Sequence, residues 1–260
     1  VHHDSNDISQ CVAMQPPVVP EEVDGRRCPA MPAGPLSGGA VTVSPGACAW
    51  ASPWKGAGMA ARRAAVAEPV IEELRLGVLE DATPDEIEAH LDHRGLRFVG
   101  ADLGGRALAG VEFHECEFVG LAAGDADLRG SRFVEVRLER LDAPVLRAAR
   151  STWRDVVIEG SRLGAVEAYE SEVRSVRITG SKLDFVNLRS ATISDVAFEN
   201  CVIGEIDLGQ SRVERVSFAG CALGDIRFDG ARLRAVDLRG AQLAVVGGIA
   251  SMSGVVVSPQ

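Results

Sequence analysis

From Phe98 to Leu243 an inward-type residue recurs at every fifth position. The run Leu163, Ala168, Val173, Ile178, Leu183, Leu188, Ile193, Phe198, Ile203, Leu208, Val213, Phe218, Leu223, Phe228, Leu233, Leu238, Leu243 contains one small member, Ala168. A second series lies two residues earlier and alternates small with branched, as in Ser161, Val166, Ser171, Val176, Ser181, Val186, Ala191, Val196, Cys201, Ile206. A period of five cannot be an amphipathic helix. At about 100° per residue, five residues turn ~140°, so the apolar positions would circle the axis. Two inward residues spaced by two are what extended chain gives, because alternate side chains share a face. The three remaining residues are polar or Gly, and Gly recurs at one place in the repeat, at Gly100, Gly105, Gly110, Gly120, Gly130, Gly160, Gly180, Gly220, Gly230 and Gly240, with Asn200 as a substitute. These read as corners that need an αL-tolerant backbone.

The small–branched alternation repeats every two faces, which predicts a square coil of four faces and about twenty residues. Residues twenty apart then stack in columns such as Phe98, Phe118, Leu138, Ile158, Ile178, Phe198, Phe218, Leu238. Such a chain is a solenoid, each coil supporting its neighbours. The repeat centres Leu183, Leu188, Ile193, Phe198, Ile203, Leu208, Phe218 and Phe228 are its predicted core. Between Ala123 and Ala168 the centres Ala123, Ala143, Ala148 and Ala168 are small, and Pro144 removes an amide donor. Loosened coils are expected there, with Trp153 filling part of the volume.

Ala101-Asp102-Leu103, Ala126-Asp127-Leu128, Val186-Asn187-Leu188, Ile206-Asp207-Leu208 and Val236-Asp237-Leu238 carry a closer signature. This pattern resembles the pentapeptide-repeat family, over 98–246 in unbroken register. The resemblance implies an all-β solenoid, a right-handed four-sided parallel β-helix. About seven coils at ~4.8 Å each make a rod of roughly 35 Å. It also implies a non-catalytic protein-interaction scaffold. Some family members bind DNA gyrase by imitating duplex DNA, and so protect it from quinolones or inhibit it; that is the alternative function.

Outside the repeats the sequence divides into three pieces. Residues 1–58 hold eight of the twelve prolines and no periodicity, and read as disordered. Met59 opens a conventional segment after a leading Val, so a start mis-set upstream of Met59 reads as well as a functional leader does. Residues 59–97 are expected to be a helical cap. Ala60–Asp81 has helical composition, interrupted at Pro69. Thr83-Pro84-Asp85-Glu86 is a capping box whose short helix should run to about His93 and stop at Gly95, covering the first coil. At the other end, 247–260 breaks the repeat at Gly247-Gly248, offers a last extended piece at Val255–Val257, and stops at Ser258-Pro259-Gln260. Ser-Pro reads as the start of a helix with no body, hence as a truncation. Family members that dimerise use a C-terminal helix after the last coil, so the resemblance leaves the oligomeric state open.

Charge and chemistry narrow the function. The whole chain carries −10. No apolar run reaches the ~18 residues of a membrane span, and no amphipathic basic helix suggests membrane binding. Cys116, Cys201 and Cys221 fall at the small inward position and read as reduced core thiols, although Cys201 and Cys221, one coil apart, should stack near disulfide distance. With no export-type leader, a cytoplasmic location is expected. Glu86, His90 and His93 share the expected helix but lack a fourth ligand, so no metal or cofactor is expected. His114 is outward without an evident partner. No nucleophile–base set or phosphate loop appears, and no enzyme is predicted.

The repeats hold 23 acidic against 19 basic residues between Phe98 and Gly248. One wall collects Asp102, Asp125, Asp142, Asp184, Glu205 and Asp225, opposed there by Arg162 and Lys182. It is the candidate contact surface for another protein, such as a basic surface on a DNA-handling enzyme. Direct nucleic-acid binding is disfavoured by the charge. The remaining functional alternative is a secreted or envelope structural rod.

Overall fold

The computed structural model describes residues 66–257, all within the compact unit Met59–Gln260. The expectations for residues 1–58 and for the terminal Ser-Pro lie outside the described residues. The chain winds as a parallel β-solenoid of about nine turns, against the seven coils counted from the repeats. The additional rungs are Asp92–Arg94 and Glu80–Asp81 before the repeats and Val255–Val256 after them.

The twenty-residue coil is visible in the register. Phe98 pairs with Phe118, Phe118 with Leu138, Leu138 with Ile158, Ile158 with Ile178, Ile178 with Phe198 and Phe198 with Phe218. Two walls result. A twelve-stranded sheet includes the long strands Arg132–Glu139, Thr152–Glu159, Glu172–Thr179, Thr192–Glu199 and Arg212–Ala219. A six-stranded sheet is built from Asp142–Arg147, Arg162–Glu167, Lys182–Asn187, Val202–Asp207, Ala222–Arg227 and Gln242–Gly247. Leu183, Leu188, Ile193, Phe198, Ile203, Leu208, Phe218 and Phe228 are all buried between them. The corners are left-handed as the glycines require, and Asn200 takes the same conformation (φ 54°).

The small inward position does more than save space. Ser181 Oγ accepts the amide of Ser161, and Ser161 Oγ that of Leu141, each at 3.0 Å. A hydroxyl one coil on therefore satisfies a corner amide that the ladder leaves over. Cys221 Sγ occupies the same role toward the amide of Cys201 at 3.4 Å, and Cys116, Cys201 and Cys221 are free thiols.

The alanine-rich stretch is tight at its start and open from Leu141 on, where the larger cavity begins, with Ala168 in its lining. Beside Ala123 there is a cavity of about 10 Å³, whereas an apolar cavity of about 80 Å³ runs from Leu141 to Phe218. Aromatic rings make up the difference. Phe113 stacks on Phe133 at 5.4 Å and Phe133 on Trp153 at 4.2 Å, with Trp153 Nε1 donating to Ser151 Oγ at 2.7 Å. From Leu141 onward, where Ala168 and single Leu, Ile and Val side chains face the axis, the coils are left underfilled.

Among its described residues, 66–97, the N-terminal cap is not α-helical. The capping box forms, with Glu86 accepting from the Thr83 amide (3.1 Å) and hydroxyl (2.9 Å), but it starts only the 3-10 turn Pro84–Glu86. Asp92–Arg94 is a strand paired with Glu112–His114, because a rung on the open solenoid end satisfies more backbone than another helical turn would. Upstream, 66–79 forms neither helix nor strand. The Val70 amide donates to Asp195 at 2.9 Å, while the Glu80 amide donates to the Gly95 carbonyl at 2.8 Å. Those anchors are five rungs apart, ~24 Å at 4.8 Å per rung. Ten helical residues would span only about 15 Å. The segment must run extended along the solenoid as a strap, with Ile71, Leu74, Leu76 and Leu79 half-buried and Val70 and Val78 exposed.

Candidate functional site

The six acids sit on or beside the six-stranded wall without forming one cluster. Glu205 and Asp225 are register partners on adjacent rungs, and Phe185 precedes Glu205 in that column, beside Asp184. Asp102 bridges to Ala122, and Ala122 to Asp142, which puts these two acids two rungs apart. Asp125 stands in the column of Glu205 and Asp225, four rungs before Glu205: its amide donates to the Val145 carbonyl, Val145 aligns with Ala165, and Ala165 with Phe185.

Most of these acids have a partner. Asp125 pairs with Arg147 at 2.8 Å and Asp184 with Lys182 at 2.9 Å. Arg227 serves both Asp225 (3.0 Å) and Glu205 (3.3 Å), and its hydrogen bond to Asp225 raises the guanidinium pKa. Asp102 accepts the amide of Gly104 at 2.8 Å. Asp142 faces Arg162 in register. Reading in five-residue faces missed Arg147 and Arg227, which close strands of the same six-stranded sheet, Arg227 two residues from Asp225.

A second feature of the wall also escaped the charge count. Val202 and Val245 are 52% and 56% exposed. Val202 lines a shallow hollow of about 480 Å³ together with Gly204, Ala222, Gly224, Gln242 and Ala244, the last next to Val245 in the chain. Outward positions without charge at 202, 222, 244 and 245 are the sequence signal that marks it. Exposed apolar rungs bordered by Asp184, Glu205 and Asp225 have the apolar-centre, polar-rim character of a contact surface.

The histidines and Glu86 are not brought together. Glu86 is occupied by Thr83, and among the described residues no group of three His, Cys, Asp or Glu has metal-binding geometry. His114 Nε2 lies 3.4 Å from Glu112 and 3.7 Å from Asp92. His93 points inward, 7% exposed, stacked on Phe113 at 5.4 Å, with Nε2 unpartnered among the described residues. Burial holds its pKa below the usual histidine value, with Asp92 and Glu86 opposing. A depressed folded-state pKa means that the charged ring disfavours the fold. Stability is therefore complete above the unfolded value of about 6.5 and falls below it, by at most ~1.4 kcal/mol per pH unit. Thermal melts from pH 7.5 to 5 should show this fall. His93→Phe, which keeps the stack, should flatten the part of the profile near pH 6; an unchanged profile there would place the titration elsewhere.

Comparison with known proteins adds the following. A family model described as Pentapeptide repeats is matched in 8 copies, with residues 214–244 aligned. Among curated proteins no sequence matches. Similar solved structures include trypsin-treated QnrB1, described as a plasmid-mediated fluoroquinolone resistance protein: 14% identity, 60% of this chain and 92% of that one, TM-score 0.27. Another is HetL, a pentapeptide repeat protein involved in heterocyst differentiation regulation in the cyanobacterium Nostoc: 12% identity, 61% of this chain and 85% of that one, TM-score 0.23.

Proposed function

We propose that this chain, a pentapeptide-repeat protein, is a non-catalytic scaffold that holds another protein against its six-stranded wall. The observation that carries the reading is the open apolar hollow around Gly204 and Gly224, flanked by exposed Val202 and Val245 and bordered by acids. Apolar rungs supply area, and the acids favour a basic rim on the partner. A solenoid fixes these side chains at one rung spacing, so little is lost to ordering the surface on binding. A cytoplasmic location with reduced thiols belongs to the same reading.

The finer version makes the partner DNA gyrase. The arrangement of charge argues for a mixed contact and not for a copy of duplex DNA, since Arg147, Lys182 and Arg227 offset the acids, whereas a duplex is uniformly negative. Purified protein titrated into a gyrase supercoiling assay, with and without a fluoroquinolone and at two salt concentrations, tests it. Inhibition or drug protection that is lost in Val202→Lys/Val245→Lys would identify gyrase as the partner. No effect at micromolar protein would remove gyrase and leave the wall to a different protein.

A further inference from the structure

The twelve-stranded wall carries a pair of facing arginines in its C-terminal half, an arrangement that is unfavourable without a ligand. Arg212 and Arg232 are direct register partners on adjacent parallel strands, as are Arg154 and Arg174. Like charges directly opposite on neighbouring strands destabilise a sheet. Arg154 is relieved by Asp155 at 3.6 Å, whereas Arg212 and Arg232 form no ion pair among the described residues. No acid nearby pairs with either arginine among the described residues, the exposed Asp229 carboxylate beside Gly230 included. Glu214 pairs with Arg215 and with Arg234 (3.5 Å), and Glu172 aligns with Thr192, two rungs from Arg212. Asp229 offers its backbone carbonyl to the Gln210 amide at 2.8 Å.

These two arginines border a hollow of about 330 Å³ lined otherwise by Ser190, Ala191, Thr192, Gln210 and Gly230. Every polar side chain of that lining is exposed. Gly230 is left-handed (φ 68°), and the nearest atom to a Cβ built there is Gln210 Cγ at 3.5 Å, so Gln210 lies over the glycine corner. We infer that this hollow is a binding site for a tetrahedral oxyanion of the phosphoryl class, clamped by Arg212 and Arg232 and capped by the neutral donors Thr192, Ser190 and Gln210. A carboxylate's two oxygens offer about four acceptor positions, half of them taken by one guanidinium fork; two forks and three neutral donors match a group with more oxygens to fill. The site is on a different wall from the proposed protein contact and stands independently of it.

The phosphoryl group can arrive as free phosphate or on a phosphorylated protein segment, and the experiment separates these. Titration calorimetry of the full chain uses inorganic phosphate, sulfate and acetate at constant ionic strength, then a phosphoserine peptide with its unphosphorylated and Glu-substituted forms. Phosphate and sulfate are expected to bind and acetate not. Arg212→Gln/Arg232→Gln should weaken phosphate at least about tenfold, the loss of two charge-assisted contacts. Arg212→Lys/Arg232→Lys should fall between, because it keeps charge without the fork and guards against a folding defect in the Gln pair. Lys182→Gln, on the other wall, should bind as the parent does. A phosphopeptide that binds more tightly than phosphate identifies a protein-borne source, and equal affinity identifies the free ion. Binding of neither, acetate binding equal to phosphate, or phosphate binding retained in the Gln pair would overturn the assignment.

Discussion

Phe198→Ala is expected to lower the unfolding free energy by about 3–5 kcal/mol, while Glu199→Ala, one residue on, should stay within ~0.5 kcal/mol. Phe198 is buried, lies in register with Ile178 and Phe218, and stacks on Phe218 with centroids 4.9 Å apart and planes at 4°. It also borders the 80 Å³ axial cavity. Truncation therefore enlarges a void that already exists and that rigid neighbouring coils cannot close, which places the cost at the upper part of the usual range. Glu199 points outward toward Arg177 at 3.6 Å, an exposed pair worth little. Urea denaturation of both variants decides it. Equal losses would mean that the inward and outward assignment is wrong.

Asp195→Ala should cost about 2–4 kcal/mol and free the strap. Asp195 is 6% exposed and accepts from Arg215 at both oxygens (2.6 and 2.8 Å) and from the Val70 amide. The Arg215 hydrogen bonds hold its pKa below the usual carboxylate range. A depressed folded-state pKa contributes stability above the unfolded value of about 3.9, and that contribution is lost as pH falls through the folded value. Removing the carboxylate leaves the half-buried Arg215 guanidinium with Glu214 alone and the strap's amide without an acceptor. Limited trypsin digestion reads the strap directly, since Arg75 lies within it between the two anchors. The variant should be cut at Arg75 several-fold faster than the parent, with the solenoid still intact. Unchanged cleavage would mean that Ile71, Leu74, Leu76 and Leu79 hold the strap by themselves.

The solenoid was legible because its period is physical. Each inward position is repeated often enough that a single misfit such as Ala168 cannot obscure the column. The strap was not legible for the converse reason. Residues 66–79 have helical composition, and their conformation is set by what they lie against: Asp195 is 125 residues away from Val70, and nothing local in the sequence refers to it. The same holds at the cap, where the capping box was read correctly and the strand pairing of His93 with Phe113 overrode the helix it would start. On the acidic wall, residue identity gave the charges, but dividing the repeat into five-residue faces put Arg147 and Arg227 on the next face, whereas each closes a strand of the six-stranded sheet.

The central claim is that the six-stranded wall is the protein-contact face. A photo-crosslinking amino acid placed at Val202 or at Val245, and as controls at Arg154 on the other wall and at exposed Val99, tests it in cells of the source organism. Discrete adducts from 202 and 245, absent at 154 and 99 and lost when Ala222→Arg fills the hollow, are the predicted result. No adduct from either wall position, or the same adducts from all four sites, would contradict it.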